Sequence, residues 1–320
     1  MDATDARLLD LLQQGLPLVA RPFADLAAQL GISERDVISR IERLKSDSVI
    51  RQIGAIFDSA ALGYTSALVA FLVDGPALDR AAGIVSAHSG VSHCYSRDAD
   101  YNLWFTITVP PEGDVETEVR ALAGAGDVED YLVLPAVKVF KVGVFLPMSD
   151  FPRPSQRQPA SSRRESVELS ERDRAAIRAL QSELPLVEQP FAELASRIGI
   201  EESGMLDLAR QYLERGIMRR FAAVLRHHRA GYASNAMVCW RVEPERVDEI
   251  GRKLASDASV SHCYERPVST KWPYALYTMV HARSADELNA AIVRMAEAAS
   301  SDHVVLRSLK EYKKSRVSYL

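Results

Sequence analysis

The chain has 320 residues, of which 47% are hydrophobic and 26% are charged, a balance typical of globular proteins and sufficient for about two ordinary domains. Its formal net charge of −4 excludes a global attraction to nucleic acid, so binding of a polyanion would need a local basic patch. No run approaches the roughly 18 apolar residues of a membrane span, and Met1-Asp2-Ala3-Thr4-Asp5 lacks the basic start of a secretion signal, so we expect a cytoplasmic protein without a membrane partner.

Three short helical patterns open the chain. They cover residues 6–13, 23–30 and 33–45. Gly31 is expected to end the second helix, and Ser33 with Asp36 three residues later is expected to cap the third. A strand at 49–57 follows, so residues 1–60 are predicted to form a winged helix-turn-helix.

The remainder of the first half alternates strands and helices. Strands are predicted at 66–73, 91–96, 103–109 and 131–144, and helices at 77–89 and 115–125. This β-α-β-β-α-β order is the ferredoxin-like pattern, which is assigned to residues 61–148.

The second half of the chain repeats the first. Pro22-Phe23-Ala24-Asp25-Leu26-Ala27 returns 168 residues later as Pro190-Phe191-Ala192-Glu193-Leu194-Ala195, and Val91-Ser92-His93-Cys94-Tyr95 returns, after a slip of one, as Val260-Ser261-His262-Cys263-Tyr264. Residues 149–168 are rich in Pro, Ser, Gln and Arg and are predicted to be a linker. The predicted fold class is therefore α+β, a tandem repeat whose second winged helix-turn-helix covers 169–228 and whose second ferredoxin-like domain covers 229–320.

This pair of domains resembles the Lrp/AsnC family of bacterial regulators over nearly all of each half. A DNA-binding member needs a basic recognition helix to meet the phosphates. In the first copy the arginines of that helix are matched by acidic residues such as Asp36 and Glu42. In the second copy acidic residues outweigh Arg210 and Arg215. We therefore interpret the winged helices as packing and dimerisation modules and expect no DNA partner.

The repeated strand motifs resemble the siroheme decarboxylase family in its fused two-subunit form. The matching segments are Ser92–Arg97 and Tyr101–Thr106 for the B-type subunit and Ser261–Pro267 and Trp272–His281 for the A-type subunit, with Met218–His227 and Asn235–Trp240 adding to the match. Cys94 and Ala275 stand where the pattern usually has asparagine. The resemblance implies removal of the acetate carboxyls at C12 and C18 of siroheme, which gives 12,18-didecarboxysiroheme on the route to heme or heme d1.

The two strand motifs present an unusual row of side chains. Because side chains alternate along a strand, His93, Tyr95 and Arg97 should share one face. The same argument applies to the row of His262, Tyr264 and Arg266. Imidazole, phenol and guanidinium in a row are a poor choice for a core but suit an acidic tetrapyrrole, since arginine binds carboxylate bidentately and histidine can supply a proton near neutral pH.

Two sets of site residues are predicted for a siroheme substrate. The catalytic set is His93, His262, Tyr95, Tyr264 and His281, with His93 and His262 also candidate axial ligands to the substrate iron. The substrate-binding set is Arg51, Arg97, Tyr101, Trp104, Arg219, Arg220, Arg266, Lys271, Trp272 and Tyr274. No cofactor beyond the iron of the substrate is expected.

Two alternatives to an enzyme are compatible with the same residues. One is a transcriptional regulator whose ferredoxin-like domains sense a small ligand or heme, and the other is a heme-binding or chaperone-like protein without catalysis. A zinc site at the His-Cys pairs is disfavoured, since alternation sends the two side chains to opposite faces. We expect the two halves to associate within one chain as a pseudo-dimer, with further homo-oligomers open.

Overall fold

The structure is a computed structural model that describes residues 1–143, 145–149, 167–226 and 229–320. Most of the predicted linker at 149–168 therefore lies outside the described residues, as do His227 and His228. The helices are α1 (Ala3–Gln14), α2 (Pro22–Leu30), α3 (Glu34–Ser46), α4 (Leu78–Ala87), α5 (Val115–Gly126), α6 (Glu171–Gln181), α7 (Pro190–Ser196), α8 (Glu202–Glu214), α9 (Val247–Ser256) and α10 (Ala285–Ala299). Within these ranges, none of the helices combines the length and the apolar character needed to cross a bilayer.

The strands fall into two sheets. They are β1 (Ile50–Phe57), β2 (Thr65–Leu72), β3 (Val91–Arg97), β4 (Leu103–Val109), β5 (Asp130–Pro135), β6 (Lys138–Val142), β7 (Met218–Leu225), β8 (Ser234–Trp240), β9 (Val260–Glu265), β10 (Leu276–Ala282) and β11 (His303–Lys314). β1 pairs with β7 in a two-stranded sheet, and the others form one sheet in the order β5-β2-β4-β3-β11-β8-β10-β9-β6.

The two winged helices share one hydrophobic core. β1 of the first copy and β7 of the second pair antiparallel, and the rings of Phe57 from the first copy and Tyr212 from the second meet edge to face with centroids 6.4 Å apart. The predicted boundaries are confirmed: Gly31 ends α2 with φ 69°, and Ser33 accepts a hydrogen bond from the backbone N–H of Asp36. The wings thus meet each other through β1 and β7.

The cations of α3 are bound within the protein. Arg40 and Arg43 each contact the Asp5 carboxylate of α1 at 2.7 Å. Asp5 is 1% exposed; burial alone would raise its pKa, but hydrogen bonds from Arg43, the Asp2 backbone and Arg40 lower the pKa to about 2. These arginines therefore hold the recognition helix against α1.

Each ferredoxin-like unit exchanges an edge strand with the other. The single strand predicted at 131–144 is wrong, because β5 stays beside β2 while β6 crosses to pair with β9. Pro135 lacks an N–H and ends the first ladder, and the Val137 N–H then bonds to the Glu265 carbonyl at 2.9 Å. β11 makes the reverse exchange, pairing first with β8 and then with β3.

The exchanged strands are packed closely against the partner unit. The ring of Phe140 on β6 lies against Gly251 of α9 and leaves no room for a Cβ there. On the face away from the helices, a core of residues from both halves includes Trp104, Met237 and Tyr277. The sheet curves strongly enough that Arg266, after β9, donates to the Leu134 carbonyl on β5. The pseudo-dimer is thus built within one chain.

Candidate functional site

Two equivalent rows of side chains face away from the helices. On β3 the His93 and Tyr95 rings are stacked with centroids 6.4 Å apart, and on β9 the His262 and Tyr264 rings are stacked at 6.0 Å. The intervening cysteines are buried in the cores on the helical side, as strand alternation requires. The four rings form the centre of the candidate site.

A serine orients each imidazole. The Oγ of Ser92 lies 2.9 Å from Nδ1 of His93, and the Oγ of Ser261 lies 2.9 Å from Nδ1 of His262. The Ser261 hydroxyl also donates to the Met279 carbonyl, so it accepts from Nδ1–H of His262 and leaves Nε2 as the unprotonated nitrogen of the neutral ring. Among the described residues, Nε2 of neither histidine has a hydrogen-bond partner.

The surroundings of both histidines favour the neutral ring. Burial, and then the charges of Lys314 and Arg51, lower the pKa of His93 to about 4. Burial, and then the charges of His93 and three arginines, lower the pKa of His262 to about 3. Because the charge of His93 contributes to the lowered pKa of His262, the two rows lie near each other.

The wing strands supply cations to the surroundings of the two histidines. Arg51 on β1 donates to the Lys314 carbonyl at 2.8 Å, and Arg219 on β7 lies 3.2 Å from the Asp58 carboxylate. Burial lowers the pKa of Arg220, and the charge of Arg219 lowers it further. The structure therefore brings Arg51, Arg219 and Arg220 together with the histidine rows.

Arg97 and Arg266 are enclosed rather than placed at a rim. Arg97 is 6% exposed and donates to the Leu306 carbonyl at 2.9 Å. Its guanidinium lies 5.6 Å from the Tyr95 ring centre, and that of Arg266 lies 4.9 Å from the Tyr264 ring centre. Nε of both arginines is buried without a partner among the described residues. Both guanidiniums thus contact the tyrosines of the rows.

The predicted aromatic residues form a separate cluster. Trp272 contacts Trp104, Tyr101 and Tyr274 with centroids 5.5, 5.8 and 4.9 Å apart, and Trp104 is 1% exposed. Lys271 is exposed and pairs with Asp130 at 2.8 Å. Trp272 also donates a hydrogen bond to the Tyr277 hydroxyl at 2.9 Å, and Tyr277 is the register partner of Tyr264. The aromatic cluster therefore adjoins the second row.

His281 lies beside the second row, on a cleft of about 1070 Å³. The cleft is bounded by the segment after β6, by α9 and by α10, and it includes Ser261, Arg283 and Arg294 in its wall. Ser261 belongs both to this cleft and to the second row, since it lines the cleft and orients His262. In the part of the chain that the structure describes, no group of three or more His, Cys, Asp or Glu residues could hold a metal ion.

Sequence reasoning missed the residues that the exchanged strand brings to the site. Glu311 accepts a hydrogen bond from the Tyr95 hydroxyl at 3.1 Å, and Lys314 is the register partner of His93. Both lie on β11, far from β3 in the sequence, and no motif indicated the exchange. Ser92 and Ser261 could have been found, because a serine precedes the histidine in both copies.

Comparisons with known proteins define the class of the chain. The AsnC-like ligand binding domain matches residues 61–141 and 229–313. The siroheme decarboxylase NirDL-like HTH domain matches residues 5–51 and 173–219. The protein is thus a tandem of AsnC-type ligand-binding units, each preceded by a helix-turn-helix.

Similarity over the full chain identifies the family. The siroheme decarboxylase of Hydrogenobacter thermophilus is 40% identical over 98% of this chain and 94% of that protein. A crystal structure of the siroheme decarboxylase NirDL matches with a TM-score of 0.76 and 37% identity, covering 99% of this chain and 94% of that one. A NirDL complex with an iron-uroporphyrin III analogue matches with a TM-score of 0.75, 36% identity and the same coverage. The chain belongs to the siroheme decarboxylase family.

Proposed function

We propose that the protein decarboxylates siroheme, removing the C12 and C18 acetate carboxyls to give 12,18-didecarboxysiroheme. The observation that carries the proposal is the pair of serine-oriented imidazoles with cationic side chains close to both. This arrangement suits a polycarboxylate macrocycle, because arginine binds carboxylates and an imidazole can serve as a proton donor or as a ligand to the iron. The related NirDL structure with an iron-uroporphyrin III analogue supports a substrate of this chemistry.

Each decarboxylation consumes one proton. The bond between the methylene carbon and the carboxyl carbon breaks, CO2 leaves, and the electron pair stays with the macrocycle until a proton converts the arm to a methyl group. We assign the delivery of this proton to His93 and His262. Tyr95 and Tyr264 act as second proton donors or orient the imidazoles. Arginines hold the carboxylates that do not react, while burial favours loss of charge from the one that does.

Substrate binding would offset one of the causes that lower the pKa of the two histidines. With pKa values of about 4 and 3, His93 and His262 are neutral near pH 7. Part of that depression comes from the positive charges of neighbouring side chains such as Arg51 and Arg219. Carboxylates of siroheme would offset those charges, so the histidine pKa values rise when the substrate enters. The iron arrives with the substrate, and we propose no further cofactor.

The finer assignments follow from the same proposal. His281 lies on the cleft beside Ser261 and is assigned a supporting catalytic role. We further propose that the protein acts in the cytoplasm, on the route to heme or heme d1. The rival reading as a regulator is weakened because Arg40 and Arg43 of α3 are bound to Asp5.

Anaerobic incubation of the full chain with siroheme tests the activity. Mass spectrometry of the tetrapyrrole should show the loss of two CO2 units, and a gel-shift assay with upstream DNA should show no complex. An unchanged tetrapyrrole together with a specific DNA complex would establish the regulator instead.

A further inference from the structure

The Arg266 guanidinium is enclosed by aromatic rings. It lies 4.9 Å from the centre of the Tyr264 ring and 5.5 Å from that of the Tyr277 ring, which is the range of a cation–π contact. The guanidinium also donates to the Leu134 carbonyl on β5. Tyr277 is itself the register partner of Tyr264 on the neighbouring strand β10. Arg266 is therefore held beside the second row by two phenol rings and a backbone carbonyl.

This cation has no carboxylate partner. In the described part of the chain Arg266 makes no ion pair, and its Nε is buried without a hydrogen-bond partner. Burial lowers the pKa of Arg266, and the negative charge of an ionised Tyr264 is the largest effect in the opposite direction. A buried cation without a counter-charge is unfavourable. The anion best placed to offset it is thus the phenolate of Tyr264.

The Tyr264 hydroxyl is available to give its proton away. This hydroxyl makes no hydrogen bond within the described ranges, and the residue opposite it on β6 is Val139. Burial raises the pKa of Tyr264, and the charges of Arg266 and then Arg219 lower it. The other titratable groups around this phenol are Asp58, Cys263 and the stacked His262. Arg266 is therefore the group that most favours the ionised phenol.

The first half contains the same pair of side chains with a different hydroxyl contact. Arg97 lies 5.6 Å from the centre of the Tyr95 ring, but the Tyr95 hydroxyl donates to the Glu311 carboxylate at 3.1 Å. Burial raises the pKa of Tyr95, and Glu311 raises it further by more than Arg97 lowers it. The hydroxyl proton of Tyr95 is therefore directed to Glu311, whereas that of Tyr264 is available to a substrate.

We propose that Arg266 is a positioning residue that acts through Tyr264 and does not contact the substrate. The catalytic part of this inference rests on the proposed function. When an acetate arm loses CO2, the electron pair left on the macrocycle takes the hydroxyl proton of Tyr264, so that the arm becomes a methyl group and a phenolate remains. Arg266 stabilises that phenolate, which then recovers a proton from water.

A double-mutant cycle tests whether Arg266 acts through Tyr264. We expect Tyr264→Phe to lower kcat with siroheme about 100-fold and Arg266→Gln to lower it about 10-fold. The double variant should lie within about twofold of Tyr264→Phe alone, because no phenolate is left to stabilise. Thermal unfolding of each variant verifies that it is folded. Losses that multiply in the double variant would overturn the proposal.

Substrate affinity separates this role from direct contact. In absorbance titration with the iron complex of uroporphyrin III, the dissociation constant of Arg266→Gln should stay within about twofold of the wild type, whereas loss of a direct carboxylate contact would raise it about 10-fold or more. Arg266→Lys keeps the charge and should recover most of the lost kcat. Lys310→Gln, at a cation that stacks on Tyr312 and pairs with Asp79 of α4, is the matched control and should keep wild-type kcat and affinity.

A second variant changes the other side of the hydroxyl. Val139→Glu places a carboxylate opposite Tyr264, as Glu311 stands opposite Tyr95. Val139 is half-buried on the edge strand β6, so this variant should fold even if Arg266→Gln does not. Its kcat should fall about 10-fold or more, while the neutral Val139→Thr should keep the wild-type kcat. A wild-type kcat in folded Val139→Glu would contradict the role of Tyr264.

A fluorine label makes the test independent of turnover. With 3-fluorotyrosine at position 264, fluorine NMR should show the phenol ionising at higher pH in Arg266→Gln than in the wild type, because loss of the cation raises the pKa of the phenol. A protein that releases no CO2 but shows this shift refutes the proposed function and supports the pairing of Arg266 with Tyr264. A protein that releases CO2 but shows no shift supports the function and refutes the pairing.

Discussion

The two halves carry the same row of side chains in different surroundings. In the first half the Tyr95 hydroxyl is bonded to Glu311 and His93 stands opposite Lys314. In the second half the corresponding partners on β6 are Val139 and Val142. The difference arises from the exchanged strands and not from the repeated motifs. A duplicated motif therefore need not give two equivalent sites, because each half completes the site of the other.

Replacing each histidine by alanine gives the largest expected effect and tests whether the halves are equivalent. His262→Ala should lower turnover of siroheme by about 10²- to 10⁴-fold, the range that general acid catalysis contributes. His93→Ala should have the smaller effect, since Ser92 does not fix the tautomer of His93 as Ser261 fixes that of His262. His303→Ala, at an exposed histidine, is the control. Wild-type rates in both site variants would refute the catalytic assignment.

The packing of the exchanged strand β6 can be broken at one glycine. Gly251→Ala would place a Cβ against the Phe140 ring, and overpacking of this kind lowers the free energy of unfolding by about 1–3 kcal/mol. Gly83→Ala on α4 is the matched control, because nothing lies within 4 Å of its Cβ, and it should stabilise the helix by about 0.5–1 kcal/mol. Chemical denaturation measures both changes, and equal effects would contradict the proposed role of Gly251.

A smaller difference between the halves lies in how one acidic residue of α1 and its counterpart on α6 stabilise the folded protein. Asp5 contacts two arginines, whereas Asp173 at the repeated position accepts the Tyr212 hydroxyl at 2.7 Å. The pKa of Asp5 is about 2 in the folded protein, against 3.8 for an ordinary aspartate side chain. Its stabilisation is therefore present above about pH 4 and is lost as the pH falls toward 2.

Substituting these carboxylates measures that difference. Asp5→Asn should lower the free energy of unfolding at pH 7 by about 1–2 kcal/mol, a range reduced because Arg40 and Arg43 are partly exposed. Asp173→Asn should lower the free energy of unfolding by less, since the asparagine side-chain oxygen can still accept the hydrogen bond from the Tyr212 hydroxyl. Denaturation at pH 7 and at pH 2 checks both. A loss for Asp5→Asn that is as large at pH 2 as at pH 7 would exclude the ionised carboxylate as its source.

The sequence was sufficient to predict elements formed by neighbours along the chain. The repeat, the helix boundary at Gly31 and the ferredoxin-like order are local patterns, and all three are observed. Strand alternation also placed His93 and Tyr95 on one face. These features follow from backbone geometry and apolar periodicity, which a single sequence contains.

The sequence could not show which strands would pair across the repeat. The chain from 131 to 144 reads as one apolar strand, and only the structure shows β6 beside β9. For the same reason the contacts of Glu311 and Lys314 were missed, and the burial of Arg97 was not predicted. Each of these errors concerns a contact between residues far apart in sequence.

The strand exchange has a consequence for the covalent link between the halves. Because β6 completes one unit and β11 the other, a polypeptide cleaved between residues 149 and 167 would still be held together by these two ladders, by the ladder of β1 with β7 and by the shared wing core. Either fragment alone would expose an unpaired β3 or β9 edge, a surface prone to aggregation. Co-production of the fragments would therefore yield a soluble complex, and separate production would not.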